Sequence, residues 1–290
     1  MSRLKTFLLA FAAAMVALPS MAQGVVVFQK DGTRVVYPYE AIDSIVTYNY
    51  GETPPTGSGS SDNDGQNKVF TVNGVSFKMI AVKGGTFQMG SDDGIDIAKP
   101  VHQVTLSDYY IGETEVTQEL WSAVMGSNTS CYTGNMQHPV EQVSWDDCQT
   151  FISKLNQLTG ETFRLPTEAQ WEYAARGGNQ SKGYTYSGSN TIDEVAWYRD
   201  NSDITNPVKT KAPNELGIYD MSGNVFEWCS DRYDIYSSAA QTDPTGPAGG
   251  SERVFRGGSW CYYAVDCRVA RRGGNWPTIT DNNLGLRLAY

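Results

Sequence analysis

A polar stretch at residues 51–67 divides the chain and limits where a folded core can form. It reads GETPPTGSGSSDNDGQN and contains almost no apolar side chains. A segment of this composition cannot bury enough apolar surface to fold, and it behaves as a flexible linker. The sequence therefore predicts a small N-terminal unit at 23–50 and a main domain at 68–290, whose roughly 220 residues are enough for one hydrophobic core.

The first 22 residues, 1–22, have the parts of a secretory signal peptide. Arg3 and Lys5 give a basic start, residues 8–18 form an apolar run, and residues 20–22 are a cleavage site of the small-residue type. The apolar run is too short to span a bilayer, and no second run of membrane length follows it. We expect cleavage near Ala22 and export to the periplasm, the cell surface or the medium, with no transmembrane segment.

The unit at 23–50 carries a hairpin pattern. Apolar runs at 25–28 and 34–37 flank residues 30–33, in which Asp31 and Gly32 form a strong turn signal. A third apolar run at 42–48 is compatible with another strand. A β-unit this small is marginally stable alone, so it is predicted to act as a spacer or to dock on another surface, for example in a cell-surface assembly.

The composition of the chain favours loops and aromatic packing over a helical bundle, because it has 29 Gly, 17 Tyr and 7 Trp. The fold class expected is α+β with a large irregular fraction. Without the signal, 20 basic residues face 32 acidic ones, a net charge of −12. This charge disfavours nucleic acids and anionic membranes as partners.

Three helices in the main domain have start signals. Thr117, Ser144 and Thr167 stand at N-cap positions, and the last two precede an Asp or Gln by three residues, as in a capping box. The apolar residues after Ser144 share one helical face. Glycines are expected to end the three segments: Gly126, Gly160 and Gly177.

Seven motifs follow one another between residues 68 and 290. They are GGTFQMG at 84–90, ETEVT at 113–117, PVEQVSW at 139–145, RLPTEAQWEYAARGG at 164–178, GIYDMSGNVFEW at 217–228, RGGSW at 256–260 and LGLR at 284–287. This series resembles the formylglycine-generating enzyme, or sulfatase-modifying factor, family. The resemblance implies that family's variant of the C-type lectin fold. It is less specific for activity, because one fold hosts different functions.

Cys261 and Cys267 follow the RGGSW motif. In the family enzymes, two cysteines after this turn bind Cu(I) and oxidise a substrate cysteine with oxygen, and soft thiolates suit Cu(I). There, one residue separates the aromatic residue from the first cysteine, and four separate the pair. Here Cys261 follows Trp260 directly, and five residues lie between Cys261 and Cys267. Both spacings therefore differ from those of the enzymes. A non-catalytic protein is the favoured hypothesis, and a copper-dependent formylglycine-generating oxidase acting on a sulfatase cysteine is the alternative.

Five cysteines in an exported protein allow at most two disulfides. Non-catalytic relatives carry a cysteine at the position of Cys267 and another at that of Cys229, so the resemblance implies a Cys229–Cys267 disulfide. Cys148 lies on the apolar helical face and is predicted to be a buried thiol. Cys131 lies in a polar loop and is predicted to be exposed, and its pairing with Cys261 stays open.

The resemblance also implies a structural calcium site. In the family, a loop holds the ion through a side chain, two backbone carbonyls and a glutamate, and the matching positions are Asp220, Gly223, Val225 and Glu227. Hard oxygen ligands in a glycine-containing loop suit Ca²⁺. The alternative is that Glu227 only pairs with a buried arginine. The arginines of the motifs are expected to fix loops rather than act on a substrate: Arg164, Arg176, Arg256, Arg268 and Arg287.

The segments 261–266 and 273–283 are the least family-like part of the domain. In this fold the corresponding loops form the exposed ligand face, and Tyr, Trp and Asn give rigid contact area beside adaptable hydrogen bonds. A protein or glycan ligand is therefore predicted to contact Tyr262, Tyr263, Asp266, Asn275, Trp276, Thr278, Asp281 and Asn282. The arrangement is also similar to the variable region of C-type-lectin-fold proteins targeted by diversity-generating retroelements, although a static loop is the simpler interpretation.

Overall fold

The computed structural model describes two strands at 24–28 and 34–38, and then residues 66–93 and 96–290. The chain divides into two units, residues 1–61 and 62–290. In the first unit, β1 (Gly24–Phe28) and β2 (Arg34–Pro38) pair antiparallel with Val26 opposite Val36, as the hairpin pattern predicts. The predicted signal peptide, the turn, the run at 42–48 and most of the linker lie outside the described residues.

Three small sheets form the frame of the second unit, in the strand orders β3-β4-β7, β5-β6-β9 and β11-β10-β8-β12. The four-stranded sheet positions the C-terminal loops, because β10 leads into the RGGSW turn, β11 separates the two loops and β12 follows them. The strands are β3 (Lys68–Val72), β4 (Val75–Val82), β5 (Gly85–Met89), β6 (His102–Leu106), β7 (Tyr109–Gly112), β8 (Phe226–Arg232), β9 (Gln241–Thr242), β10 (Arg253–Arg256), β11 (Arg272–Asn275) and β12 (Leu284–Leu286).

The helices of the second unit are α1 (Gln118–Met125), α2 (Trp145–Thr159), α3 (Glu168–Ala175) and the single turn α4 (Ile192–Val195). The first three begin where the sequence predicts, with Thr117, Ser144 and Thr167 as N-caps and capping boxes at the last two. Gly126 and Gly160 end α1 and α2 in the left-handed conformation. The helix α3 ends one residue earlier than expected, with Arg176 as its C-cap. Of the described residues, no helix combines the length and apolar character that crossing a bilayer requires.

Two large hydrophobic clusters form the core. One lies between α1, α2 and the sheet β3-β4-β7, where the rings of Trp121 and Phe151 stack with centroids 4.9 Å apart. The other surrounds α3, whose residues are all buried. The C-terminal residue closes the frame, because Tyr110 and Tyr290 exchange backbone hydrogen bonds of 3.0 and 2.9 Å. The result is a loop-rich α+β domain of the C-type lectin type, in agreement with the predicted fold class.

Candidate functional site

The turn at 256–260 holds the C-terminal loops against the body of the domain. Arg256 is fully buried, and its guanidinium contacts the carboxylate of Glu172 and the carbonyl oxygens of Val269 and Ala270. The backbone N–H of Trp260 donates to the carbonyl of Asn224 at 2.8 Å. Since one end of the turn is tied to a buried carboxylate and the other to a buried loop, residues 261–266 leave the domain in a defined direction.

The first loop, residues 261–266, presents two tyrosines to solvent. Tyr262 and Tyr263 are 41% and 55% exposed. The Tyr262 ring packs edge-on against Phe226 with centroids 4.8 Å apart, so its position is defined. The guanidinium of Arg199 lies 4.6 Å from the centre of the Tyr263 ring, and the backbone N–H of Arg199 donates to the carbonyl of Tyr262. Arg199 is thus a member of the face that sequence reasoning missed, since only the fold brings it there.

The second loop, residues 276–283, is anchored to the segment before α2. The backbone N–H of Gln142 donates to the carbonyl of Asp281 at 2.9 Å, and that of Asp146 donates to the carbonyl of Pro277 at 3.2 Å. The Trp276 side chain is 55% exposed at the start of this loop. The loop therefore rests on a helix N-terminus and still leaves its largest aromatic side chain in solvent.

The two loops are neighbours. The side-chain amide of Asn283 donates to the Cys261 sulfur at 3.3 Å, and the Trp260 indole N–H donates to the carbonyl of Asn282 at 3.2 Å. Burial raises the pKa of Tyr262, and the charges of Cys261, Asp281 and Asp266 add to the shift. The structure therefore brings the predicted residues Tyr262, Asp281 and Asn282 to one face.

This face concentrates exposed apolar surface. Of the ten large hydrophobic side chains exposed among the described residues, five lie on the two loops. They are Tyr262, Tyr263, Val265, Trp276 and Ile279. The sequence prediction of ligand-contacting residues did not include Val265 and Ile279. Aliphatic residues within polar loops could have indicated them. Of the other predicted residues, Thr278 is exposed, whereas Asp266 and Asn275 are partly buried.

The predicted Cys229–Cys267 disulfide is wrong, because all five cysteines are free thiols. Cys229 lies in the cluster around α3, and Cys267 packs separately beside Ala196 and Tyr198. Their side chains therefore point into different parts of the core. The expected burial of Cys148 and exposure of Cys131 are confirmed.

Cys261 and Cys267 lie in different surroundings. Burial raises the pKa of the Cys267 thiol to about 12, and the nearby charge of Asp266 adds to the shift. This thiol is fully buried. The Cys261 sulfur is half-buried and accepts a hydrogen bond from Asn283.

Glu227, one of the four residues predicted to hold calcium, is part of a buried ion pair with Arg287. Both carboxylate oxygens of Glu227 accept hydrogen bonds from Arg287, and one of them also accepts the indole N–H of Trp171 at 2.6 Å. An oxygen of Asp220 accepts the backbone N–H of Lys209 at 2.8 Å. Both oxygens of Glu227 are thus engaged within the protein, as the arginine alternative predicts, and the calcium site stays a prediction.

One further acid, Glu115, shares this interior with Asp220 and Glu227. Glu115 accepts hydrogen bonds from the backbone of Val225 and the side chain of Asn224, at 3.0 and 2.7 Å. Burial raises its pKa well above the usual range, and the charges of Asp220 and Glu227 add to the shift. Burial likewise raises the pKa of Asp220 to about 6. The guanidinium of Arg287 opposes the pKa rise of both acids, and Lys209 also opposes that of Asp220.

The remaining motif arginines act as braces, as the sequence predicts. Arg176 bonds Glu172 and the carbonyl of Gly90, and Arg164 bonds Gln170 and the carbonyl of Leu165. The contact of Arg176 with Gly90 ties α3 to the residue after β5, and the contact of Arg164 with Gln170 ties the preceding segment to α3. These side chains serve the scaffold.

Comparison with known proteins places this geometry in a family. Residues 68–290 match the family model described as the sulfatase-modifying factor enzyme 1-like domain. The chain is 37% identical over 237 residues to the chaperone protein LppX of Paenibacillus barcinonensis, covering 64% of this chain and 79% of that protein. It is 32% identical over 282 residues to the formylglycine-generating enzyme of Streptomyces coelicolor, covering 72% of this chain and 88% of the enzyme. The structure of Treponema denticola variable protein 1 matches with a TM-score of 0.72 at 37% identity, covering 77% of this chain and 98% of that one.

Proposed function

The chain belongs to the sulfatase-modifying factor enzyme 1-like family, and we propose that it is an exported, non-catalytic member that binds a protein or glycan ligand through its C-terminal loops. The concentration of exposed aromatic and aliphatic side chains on residues 261–266 and 276–283 carries this proposal. Exposed apolar patches of this kind mark interaction sites on soluble proteins. The buried contacts of Arg256 hold the turn before the first loop and supply the rigid support that a binding surface needs.

The absence of oxidase activity is supported by the cysteines. Cys267 is fully buried, and the spacing of the pair differs from that of the enzymes. Export is supported by the signal pattern at 1–22. The N-terminal pair of strands would then serve as a spacer or as a tether in a cell-surface assembly.

The alternative function is a copper-dependent formylglycine-generating oxidase. The likeness to the Streptomyces coelicolor enzyme over most of its length favours this alternative. The test is to supply the protein with Cu(I), oxygen and a sulfatase-derived peptide that contains the substrate cysteine. We expect no turnover. Turnover that is lost in both Cys261→Ser and Cys267→Ser would overturn the non-catalytic proposal.

The match to Treponema denticola variable protein 1 bears on loop diversity. If the loops were diversified, a reverse-transcriptase gene and a template copy of codons 261–266 would lie beside this gene. A locus without both would indicate a static binding loop. Sequencing the genomic neighbourhood decides between the two.

A further inference from the structure

The composition of the C-terminal face discriminates between the two ligand classes. Resting on the proposed function, we propose that the ligand of this face is a protein and not a glycan. The partner would offer an apolar patch that is bordered by basic side chains of its own.

The first observation is the chemistry of the exposed atoms. Trp276 and Tyr263 are each 55% exposed, and Val265 and Ile279 are 44% and 38% exposed. Aromatic anchors with aliphatic neighbours form the water-excluding centre of protein interfaces. Aliphatic side chains offer a sugar neither a hydrogen bond nor a flat stacking surface. An apolar protein surface matches all four.

The second observation is that the polar side chains of the face are bonded within the protein. The side-chain oxygens of Asn275 and Asp281 accept the backbone N–H groups of Trp276 and Asn282, at 2.9 and 2.7 Å. The amide of Asn282 donates to the hydroxyl of Tyr132 at 3.2 Å. A glycan site needs several polar groups that converge on the hydroxyls of the sugar. Here much of that capacity serves to hold the loops.

The third observation is charge. Asp281 on the second loop and Asp200, next to Arg199, are exposed, and neither has an ion pair in the described part of the chain. The nearby cations are engaged, since Arg271 pairs with Asp266 at 3.0 Å and Arg199 stacks on Tyr263. The chain as a whole has a net charge of −10. Complementary charge steers partners and suppresses wrong ones, so the partner's border should carry Lys and Arg.

The test uses two probes on the full chain: a random peptide library displayed on phage, and a glycan array. We expect selected peptides to combine aromatic or aliphatic residues with Lys or Arg, and no glycan to bind. Trp276→Ala should weaken the best synthetic peptide by about tenfold or more, as loss of an interface anchor does. Asp281→Asn should weaken it by a smaller factor, and affinity should fall as salt is raised.

Leu158→Ala is the matched control, because Leu158 is 52% exposed on α2, outside the face. It should leave peptide binding unchanged, and circular dichroism should show that every variant keeps its fold. Glycan binding that is lost in Trp276→Ala would overturn the inference and leave the proposed function standing. Selected peptides that are acidic, or insensitive to salt, would also overturn it. If neither probe binds, the proposed function itself fails.

Discussion

The guanidinium of Arg287 and the carboxylate of Glu227 form an ion pair that is closed off from solvent, with 2.7 Å between Nη2 and Oε1 and side chains 0% and 1% exposed. Arg287 also donates to the carbonyls of Gly112 and Tyr219. One side chain thus joins β12, β8, β7 and the loop at 217–228. Removing one partner of a buried pair leaves an uncompensated charge, which is far more destabilising than losing an exposed pair.

We therefore expect Arg287→Met to lower the free energy of unfolding by about 3–5 kcal/mol. The loss should be aggravated because the same cation opposes the pKa rise of Glu115 and Asp220. Urea denaturation measures the effect. Lys83→Ala is the control, since Lys83 pairs with Asp108 at 2.7 Å but is 77% exposed, and its loss should stay below about 1 kcal/mol. Equal losses in the two variants would show that the buried pair does not support the fold.

Asp231 should make stability depend on pH. Burial and the charge of Glu168 raise its pKa from 3.8 to about 7. The folded state therefore holds a proton between about pH 4 and pH 7 that the unfolded state has released. The stability that this group contributes is present at low pH and is lost as the pH rises through about 7. A single proton changes stability by at most about 1.4 kcal/mol per pH unit.

Asp231→Asn should remove this dependence, because the amide does not titrate and its oxygen can still accept the backbone N–H of Glu168. Unfolding free energies at pH 5 and pH 7 should then differ less in the variant than in the wild type. The exposed Asp200→Asn serves as control and should keep the wild-type slope. An unchanged slope in Asp231→Asn would show that Asp231 ionises normally in the folded protein.

Local signals were readable in the sequence, and long-range contacts were not. The capping boxes at Ser144 and Thr167 need only residues three positions away, so the helix starts were predicted correctly. The orientation of Cys229 and Cys267 depends on how a strand and a distant loop pack, which no spacing encodes. For the same reason, the stacking of Arg199 on Tyr263 became visible only in the fold. The motifs identified the loops that form the face, whereas the structure shows which of their side chains are exposed.

Calcium should have no effect on stability. Binding to the folded state alone raises the melting temperature, but the carboxylate of Glu227 is occupied by Arg287 and Trp171. We expect the same melting temperature in EDTA and in excess Ca²⁺, measured by scanning calorimetry. A rise with Ca²⁺ that disappears in Asp220→Asn would show that the loop rearranges to bind the ion, as the family resemblance implies.

Thiol reactivity should separate the five cysteines. Cys131 is exposed and Cys261 is half-buried, whereas Cys148, Cys229 and Cys267 are buried. An aromatic disulfide reagent should modify Cys131 rapidly and Cys261 more slowly in the folded protein. In denaturant without reductant, all five should react. Only three reactive thiols under those conditions would show that the chain contains a disulfide after all.

Gly258 should be the more sensitive of the two glycines in the RGGSW turn. Its φ is 80°, and a Cβ placed there would lie 2.5 Å from the sulfur and 2.8 Å from the Cα of Cys267. Gly126 has a similar φ of 78° with nothing within 4 Å of the added atom, so Gly126→Ala measures the backbone strain alone, about 1–2 kcal/mol. Gly258→Ala adds a collision with backbone atoms, which typically costs a further 1–3 kcal/mol or so. Urea unfolding should show this excess. Equal losses in both variants would mean that the loop at 261–266 moves freely away from the turn, and the rigid support proposed for the face would be lost.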